Sequence, residues 1–556
     1  MRIIHVLFLA YLVLLPLLTQ AASHDYEAPA ASLVFILGIL WVQVIFNCKQ
    51  GRMIRFTCMD MAVIGLAIYA LLNAVFSEEA RVSELMGCRW AVAFALYLLA
   101  RSFGEIAEKG VLSAILVSGF IQSIAGALQL AGAIPSGHSQ FAVTGSFFNP
   151  GPYGGYLALA FVAGVCLLTD AIRRKTICAV LIAALGFILC MMLVSDSRAA
   201  WLAAGLASGY LLYHYYKRII HKTNLRRYLL LASFCGAIMA SGIGLYRYKK
   251  SSADVRIAVW TISGQMMRDS PVTGHGAGSF AALYMNYQSE YFGTHPASEY
   301  REWSDNRNRP FNEWIGIGCE WGCIGLLFVG AILFLAFSGR KASGLKALLL
   351  GLCVFAFFSY PFRVFPLSLF VPLILGLCHT RALCEWKIQK TAVVAAAAVS
   401  LLLIGQSVSM YRRYAAAYEG LERGKPDIRL SADTKYMSRY AKHLFDSGDY
   451  AGFIRTTTGK DFPFMTSNLA CDMGIAFMRT GRTEEAERIL LSAYNMVPSR
   501  VLPKYLLFRL YRDDGQTEKA LQKAKEILCM KIKDAGSVYL SARTEAREYL
   551  DVYMDR

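Results

Sequence analysis

Two glutamates and a few arginines stand where an otherwise apolar chain has little reason to hold charge. Glu313 and Glu320 open an apolar run. Their spacing is two helical turns, so both carboxylates face one side of a helix with Gly316 between them. A carboxylate in such a setting is costly unless a cation or water meets it. Arg198 in Ser195-Asp196-Ser197-Arg198 and Arg256 in Val255-Arg256-Ile257-Ala258-Val259-Trp260 are two such cations. Together they make either a structural charge network or a polar active-site cavity. Arg198 taken alone fits an interfacial anchor or a partner of Asp196 equally well. Arg363, in a short segment between Pro361 and Pro366, could point at the same cavity, though an anchor at the interface is the simpler reading. His275, in the run Gly274-His275-Gly276-Ala277-Gly278, and His295 could move protons in the same region. The glycines there could let backbone approach a ligand closely, but no nucleotide loop or dinucleotide fingerprint accompanies them.

The elements that must position these groups are membrane helices. Of the 556 residues, 56% are hydrophobic and 17% charged, a composition that a soluble core does not accommodate. Apolar runs predict thirteen spans, near 3–21, 31–48, 61–77, 90–100, 111–133, 153–169, 178–194, 200–216, 229–246, 314–337, 347–360, 366–380 and 392–409. The first also mimics a signal peptide, with a retained helix the favoured reading. Nineteen Lys and Arg fall in alternate short loops, among them Arg52, Arg55, Arg101, Lys109 and Lys387, against four in the others. By the positive-inside rule the N-terminus is then cytoplasmic, and the long loop 247–312 and the C-terminal tail lie outside. The same distribution accounts for the net charge of +18 without nucleic acid as a partner. The fourteen cysteines are scattered, mostly in apolar runs where a thiol packs as a small hydrophobe. Cys319 and Cys323 have no further ligands at metal spacing, while Cys471 and Cys529 could pair in an oxidising compartment.

In the tail, Gly481 and Ala486 recur as Gly515 and Ala520, an offset equal to the tetratricopeptide period of about 34 residues. Met473, Gly474, Phe477, Leu490, Ala493 and Pro498 fit the spacing of that repeat, although Ala470 stands where it usually has tryptophan. An earlier copy includes Tyr440, Phe445, Gly448 and Tyr450. The expected organisation is an all-α polytopic membrane domain over 1–409, a connector over 410–430 and helical repeats over 431–556. Such repeats could hold a protein partner or cap the site.

Gly145-Ser146-Phe147-Phe148-Asn149-Pro150, Ser195-Asp196-Ser197-Arg198-Ala199-Ala200, Arg256 to Trp260, Asp269-Ser270-Pro271, the glycine-rich run, Asn312-Glu313 and Glu320-Trp321-Gly322-Cys323-Ile324-Gly325 occur in that order over about 140–335. Together they resemble the superfamily of O-antigen ligases, O-antigen polymerases and bacterial protein O-oligosaccharyltransferases. The resemblance implies a GT-C-like helical core in the bacterial inner membrane, among membrane lipids, with a periplasmic tail. It implies a glycan donor linked to undecaprenyl diphosphate, and no cofactor or metal. The acceptor is a lipid A-core sugar, a growing glycan or a Ser/Thr hydroxyl of a protein. On this view Arg198 and Arg256, joined by Arg363, hold the diphosphate, since guanidinium groups stay charged and fork onto phosphate oxygens. Many members have a histidine where this chain has Phe311, which leaves His275, His295, Glu313 and Glu320 as candidate bases. A transporter and a catalytically silent envelope scaffold are the readings of other classes.

Overall fold

The computed structural model describes residues 2–51, 53–103, 107–219, 250–338, 343–378, 382–387, 389–423, 426–459, 462–530 and 536–554. The ninth expected span, 229–246, lies outside them. Eight described helices are long and apolar enough to cross a membrane. In chain order the first helices are α1 (Arg2–Ala21), α2 (Glu27–Lys49), α3 (Cys58–Phe76), α4 (Glu84–Phe103), α5 (Ala107–Leu130), α6 (Pro150–Ala171), α7 (Lys175–Val194) and α8 (Arg198–Ile219). There follow α9 (Lys250–Asp269), α10 (Ser279–Thr294), α11 (Glu313–Ser338), α12 (Ser343–Phe358), α13 (Phe370–Leu377) and α14 (Lys390–Glu422). Of these, α4, α8, α12 and α13 carry the expected spans 90–100, 200–216, 347–360 and 366–380 but are not among the eight. Helix α13 has only 8 residues, about 12 Å at 1.5 Å per residue. A turn at Phe365–Ser368 around Pro366 separates it from the preceding segment.

Helix α6 runs through the packed centre, with Tyr153, Leu157, Ala158, Ala160 and Ala163 buried. Its approach to α5 depends on Gly119, where a Cβ would come within 2.1 Å of the Ala160 side chain. One end of the bundle carries an antiparallel ribbon of β1 (Met53–Thr57) and β2 (Ala382–Lys387). No strand is predicted from the sequence. The ribbon exists because the α2–α3 and α13–α14 connections, far apart in the chain, meet at the same end of the bundle, a pairing no local pattern announces. Thr57 and Asp60 form a capping box at the start of α3, and Asp60 also meets Tyr97 and Arg101 of α4 at 2.5 and 3.0 Å. These contacts fasten α3 to α4 at the ribbon side.

At the opposite end, the turn after α1 meets α14 and the start of the tail. His24 stacks on Tyr418 at 4.9 Å, Tyr26 lies against Tyr414 at 5.0 Å, and Asp25 pairs with Lys435. Helix α14 continues unbroken through residue 409 for 33 residues, about 50 Å, so the last expected span and most of the connector form one rod.

The tail comprises α15 (Thr434–Asp446), α16 (Tyr450–Thr457), α17 (Ser467–Arg479), α18 (Thr483–Met496), α19 (Val501–Asp513), α20 (Thr517–Leu528) and α21 (Ser537–Met554). The starts of α17 and α18 recur, at the interval that separates Gly481 from Gly515, as the starts of α19 and α20. Ala486 and Ala520 are fully buried in these hairpins. Cys471 is buried and Cys529 exposed, both as free thiols, so the pairing considered from sequence is absent.

Candidate functional site

Arg198 is placed by the turn between α7 and α8. Asp196 takes a left-handed φ of 53° to reverse the chain there, a conformation a non-glycine residue adopts at some cost. Ser195 donates to the Met192 carbonyl at 2.6 Å, and Ser195 and Ser197 lie against Gly154 of α6. The Gly145–Pro150 segment is set by two buried amides of α5 that sequence reasoning missed. Gln129 Oε1 accepts from the Thr144 and Gly145 amides at 2.9 and 2.8 Å, and Gln122 Oε1 accepts from the Ser146 amide at 3.0 Å. Asn149 then caps α6, accepting from the Gly151 amide at 2.9 Å.

Arg256 lies on α9, whose Trp260 donates to the Pro310 carbonyl at 3.0 Å. Arg198 and Arg256, carried by different helices, share the lining of one cavity of about 900 Å³. Asn149, Pro150 and Gly151 put the N-terminus of α6 at its wall, with Asp196, Trp260, Phe311 and Tyr360. Much of the remaining wall is apolar, including Leu130, Phe141, Val194 and Phe358. A space of this size, near the upper end of small-ligand pockets, with guanidinium groups and a helix N-terminus on apolar walls, suits an anionic head joined to a greasy body.

Burial pushes the Arg256 guanidinium down to about 10, with the charges of Arg198 and Arg307 adding to the effect. Arg307 was not singled out from sequence. It stacks over the Phe311 ring at 5.5 Å. Arg309, likewise missed, lies 4.3 Å above Tyr360 and 5.9 Å from Phe148, and burial lowers its pKa. The available signal was the pair of arginines just before Asn312, which is indistinguishable locally from a solvated loop.

Phe311 lines the cavity with φ at 54° and packs edge-on against Tyr360 at 5.6 Å. Next to it, Asn312 caps α11 through its side-chain oxygen, which accepts from the Trp314 and Ile315 amides at 3.0 and 3.2 Å. Glu313 Oε1 accepts from the Phe362 amide at 2.8 Å, and Glu320 Oε1 from the Arg363 guanidinium at 2.7 Å. The two carboxylates thus do share a side of α11 and grip the short segment 361–363. Tyr360, just before that segment, lines the large cavity, whereas Arg363 lines a different, smaller one. Arg363 is therefore not in the lining shared by Arg198 and Arg256.

The two histidines, like Glu313 and Glu320, are not among the residues lining either cavity. His275 Nε2 is 2.9 Å from the Met266 carbonyl, and its ring meets Tyr287 edge-on. His295 caps the end of α10 and stacks on Tyr291 at 4.6 Å, with Nδ1 2.9 Å from Thr294 Oγ1. The glycine-rich turn approaches protein backbone: His275 and Gly276 amides donate to the Cys319 and Glu320 carbonyls, each at 2.9 Å. Those carbonyls are accessible because α11 breaks at Gly322, where φ is 63°. A Cβ at Gly322 would lie 2.2 Å from the Val272 carbonyl oxygen.

The tail grips the segment that carries Arg307. Asn306 Oδ1 accepts from the Ser467 amide at 2.8 Å, Arg500 pairs with Asp305 at 2.8 Å, and Ser289 Oγ lies 3.2 Å from Ser492 Oγ.

Fold and site define a multi-pass helical membrane protein with an arginine-walled, partly apolar cavity. Residues 183–330 match the family model described as O-antigen ligase. The match supports a membrane glycosyltransferase-like role in polysaccharide biosynthesis, and it contains Arg198, Arg256, Glu313 and Glu320 but not Arg363. No curated protein matches the chain.

Proposed function

We propose that this protein transfers a glycan from an undecaprenyl-diphosphate-linked donor to a hydroxyl acceptor, as an O-antigen ligase or polymerase does. The observation that carries the proposal is that Arg198 and Arg256 meet in one cavity beside the N-terminus of α6. In this reading the diphosphate lies against the two guanidiniums and the apolar wall receives the start of the polyprenyl chain. The acceptor oxygen attacks the anomeric carbon of the first donor sugar. The bond from that carbon to the diphosphate oxygen breaks, and its electrons leave with the diphosphate, whose growing charge the arginines stabilise. The acceptor proton passes to a carboxylate. None of the four candidate bases lines the cavity; Glu313 is preferred because it follows the cavity residue Phe311 by two positions and accepts from the Phe362 amide in the segment that continues from Tyr360. Glu320, held by Arg363, then keeps that segment in place. His275 and His295 have positioning roles outside the cavity.

The reaction takes place on the periplasmic face of the bacterial inner membrane, with the N-terminus cytoplasmic and the tail a tetratricopeptide-like stack. The test is a comparison of membranes from wild-type, deletion and Arg256→Ala cells, separating lipid A-linked, undecaprenyl-linked and protein-linked glycan. Loss of the lipid A-linked form while polymer persists on the carrier identifies a ligase. A shift from long chains to single units identifies a polymerase, and selective loss of glycoprotein a protein transferase. No change in any pool refutes the proposal.

A further inference from the structure

Independently of the transferase reading, we propose that the cavity between the helix bundle and the tail is a second anion site, which takes a single phosphate group. The cavity encloses about 220 Å³, less than the roughly 300–1,000 Å³ of drug-sized ligand pockets, so it suits a head group and little more. Its cations come from both parts of the molecule: Arg81, Arg89 and Arg363 from the bundle side, Lys435 and Arg439 from α15. Asp25 and Asp433 are the carboxylates in the lining.

Most of these charges are already engaged. Arg363 meets Glu320 at 2.7 Å, Arg81 meets Glu79 at 3.3 Å, and Lys435 pairs with Asp25. Asp433 is occupied as the cap of α15, with Oδ1 2.9 Å from the Tyr436 amide and Oδ2 3.1 Å from the Tyr414 hydroxyl. Arg89 differs. Its Nε is sealed from solvent and has no hydrogen-bond partner among the described residues, although Asp25 and Asp433 act on it at longer range. That Nε is out of reach of a ligand, but the Arg89 guanidinium borders the cavity and makes no hydrogen bond to a described residue, so an anion there meets an uncommitted cation. Arg439 lies over the Tyr418 ring at 5.1 Å, facing the same space from the tail. Residues at the N-terminal ends of α4 and α15, Ser83 and Leu85 on one side and Thr434 on the other, also line it, and both helix dipoles favour negative charge there. An anion bridging Arg89 and Arg439 would join the tail to the bundle.

A phosphate can arrive free or as a lipid head group, and the experiment separates the two. The full-length protein is placed in neutral phosphatidylcholine nanodiscs and its unfolding temperature followed against inorganic phosphate, then repeated in discs containing phosphatidylglycerol. The expected result is a saturable rise with phosphate. Arg89→Gln and Arg439→Gln should each require about tenfold more phosphate for half the effect, a loss ordinary for one charge-assisted hydrogen bond. Arg256→Met should titrate like the wild type. Phosphatidylglycerol that raises the unfolding temperature and abolishes the further response to phosphate identifies a lipid head group; an unchanged phosphate response in those discs identifies a free ligand. If Arg89→Gln does not fold, Arg439→Gln decides, since among the described residues its side chain stacks on Tyr418 without a hydrogen bond to the bundle. The proposal is overturned if wild type shows no saturable response, if the two variants titrate as wild type, or if Arg256→Met loses the response equally.

Discussion

Replacing Arg256 with methionine should separate stability from activity. Burial, aided by Arg198 and Arg307, pushes this guanidinium down to about 10, against an ordinary value above 12. At roughly 1.4 kcal/mol for each factor of ten in a protonation equilibrium, keeping the charge costs the folded protein about 3 kcal/mol. Partial exposure and solvent screening reduce this to about 1–2 kcal/mol. A group whose folded pKa lies below its unfolded one adds stability only above the unfolded value and loses it as pH falls through the folded value. At pH 7 the penalty is therefore fully present. Methionine keeps most of the side chain's packing and removes the charge, so Arg256→Met should be as stable as wild type or more stable, by up to about 2 kcal/mol. Transfer should fall by about 10²–10³-fold, the usual cost of losing one electrostatic stabiliser of a leaving group. Inorganic diphosphate at a hundred times its dissociation constant should stabilise wild type by about 2.7 kcal/mol and leave the variant unmoved. The assays are thermal unfolding in detergent with and without diphosphate, and transfer of a radiolabelled lipid-linked glycan in membranes. A variant that is less stable than wild type by more than about 1 kcal/mol, yet keeps over a tenth of the activity, refutes the reasoning.

Three further outcomes follow from particular contacts. Gly322→Ala places a Cβ 2.2 Å from the Val272 carbonyl oxygen at a positive φ and should cost about 3 kcal/mol or more, while Gly330→Ala in the same helix meets nothing within 4 Å and should be neutral or slightly stabilising, as read by unfolding temperature. Glu313→Gln should lower transfer by about 10²–10⁴-fold if the carboxylate takes the acceptor proton; its amide oxygen still accepts from Phe362, so donor binding measured by protection from thermal unfolding should persist. Burial pushes Lys504 in the tail down to about 8, with Arg301 and Lys523 adding to the shift and Glu526 opposing it. Its contribution to stability is lost as pH falls through 8, so wild type should gain about 2–3 kcal/mol relative to Lys504→Met between pH 8 and 10.5, measured by denaturant unfolding at each pH.

Tail and bundle illustrate two degrees of legibility. The recurrence of Gly481 and Ala486 as Gly515 and Ala520 marks two helical hairpins, and the structure starts α17 and α19, and α18 and α20, at that interval. Repeats are readable because each unit buries its small residues against its own neighbour, Gly474 against Leu490 for example. What the tail touches was not readable. Arg500 and Asp305 are 195 residues apart, and neither has a local pattern that marks the other as its partner.

By itself, the sequence determined what contiguous residues control: the apolar helices, the alternation of basic loops, and the common face of Glu313 and Glu320. Hydropathy and the helical period act over one or two turns, so they survive without a tertiary context. Only the tertiary structure decided which charges belong together. It placed Arg198 with Arg256, put Arg363 in the lining of a second cavity, added Arg307 and Arg309 beside Phe311 and Tyr360, and turned the glycine-rich run against the broken helix at Gly322. A cavity is the space left when distant helices pack, and its lining depends on contacts between segments remote in the chain. No window of the sequence contains that information.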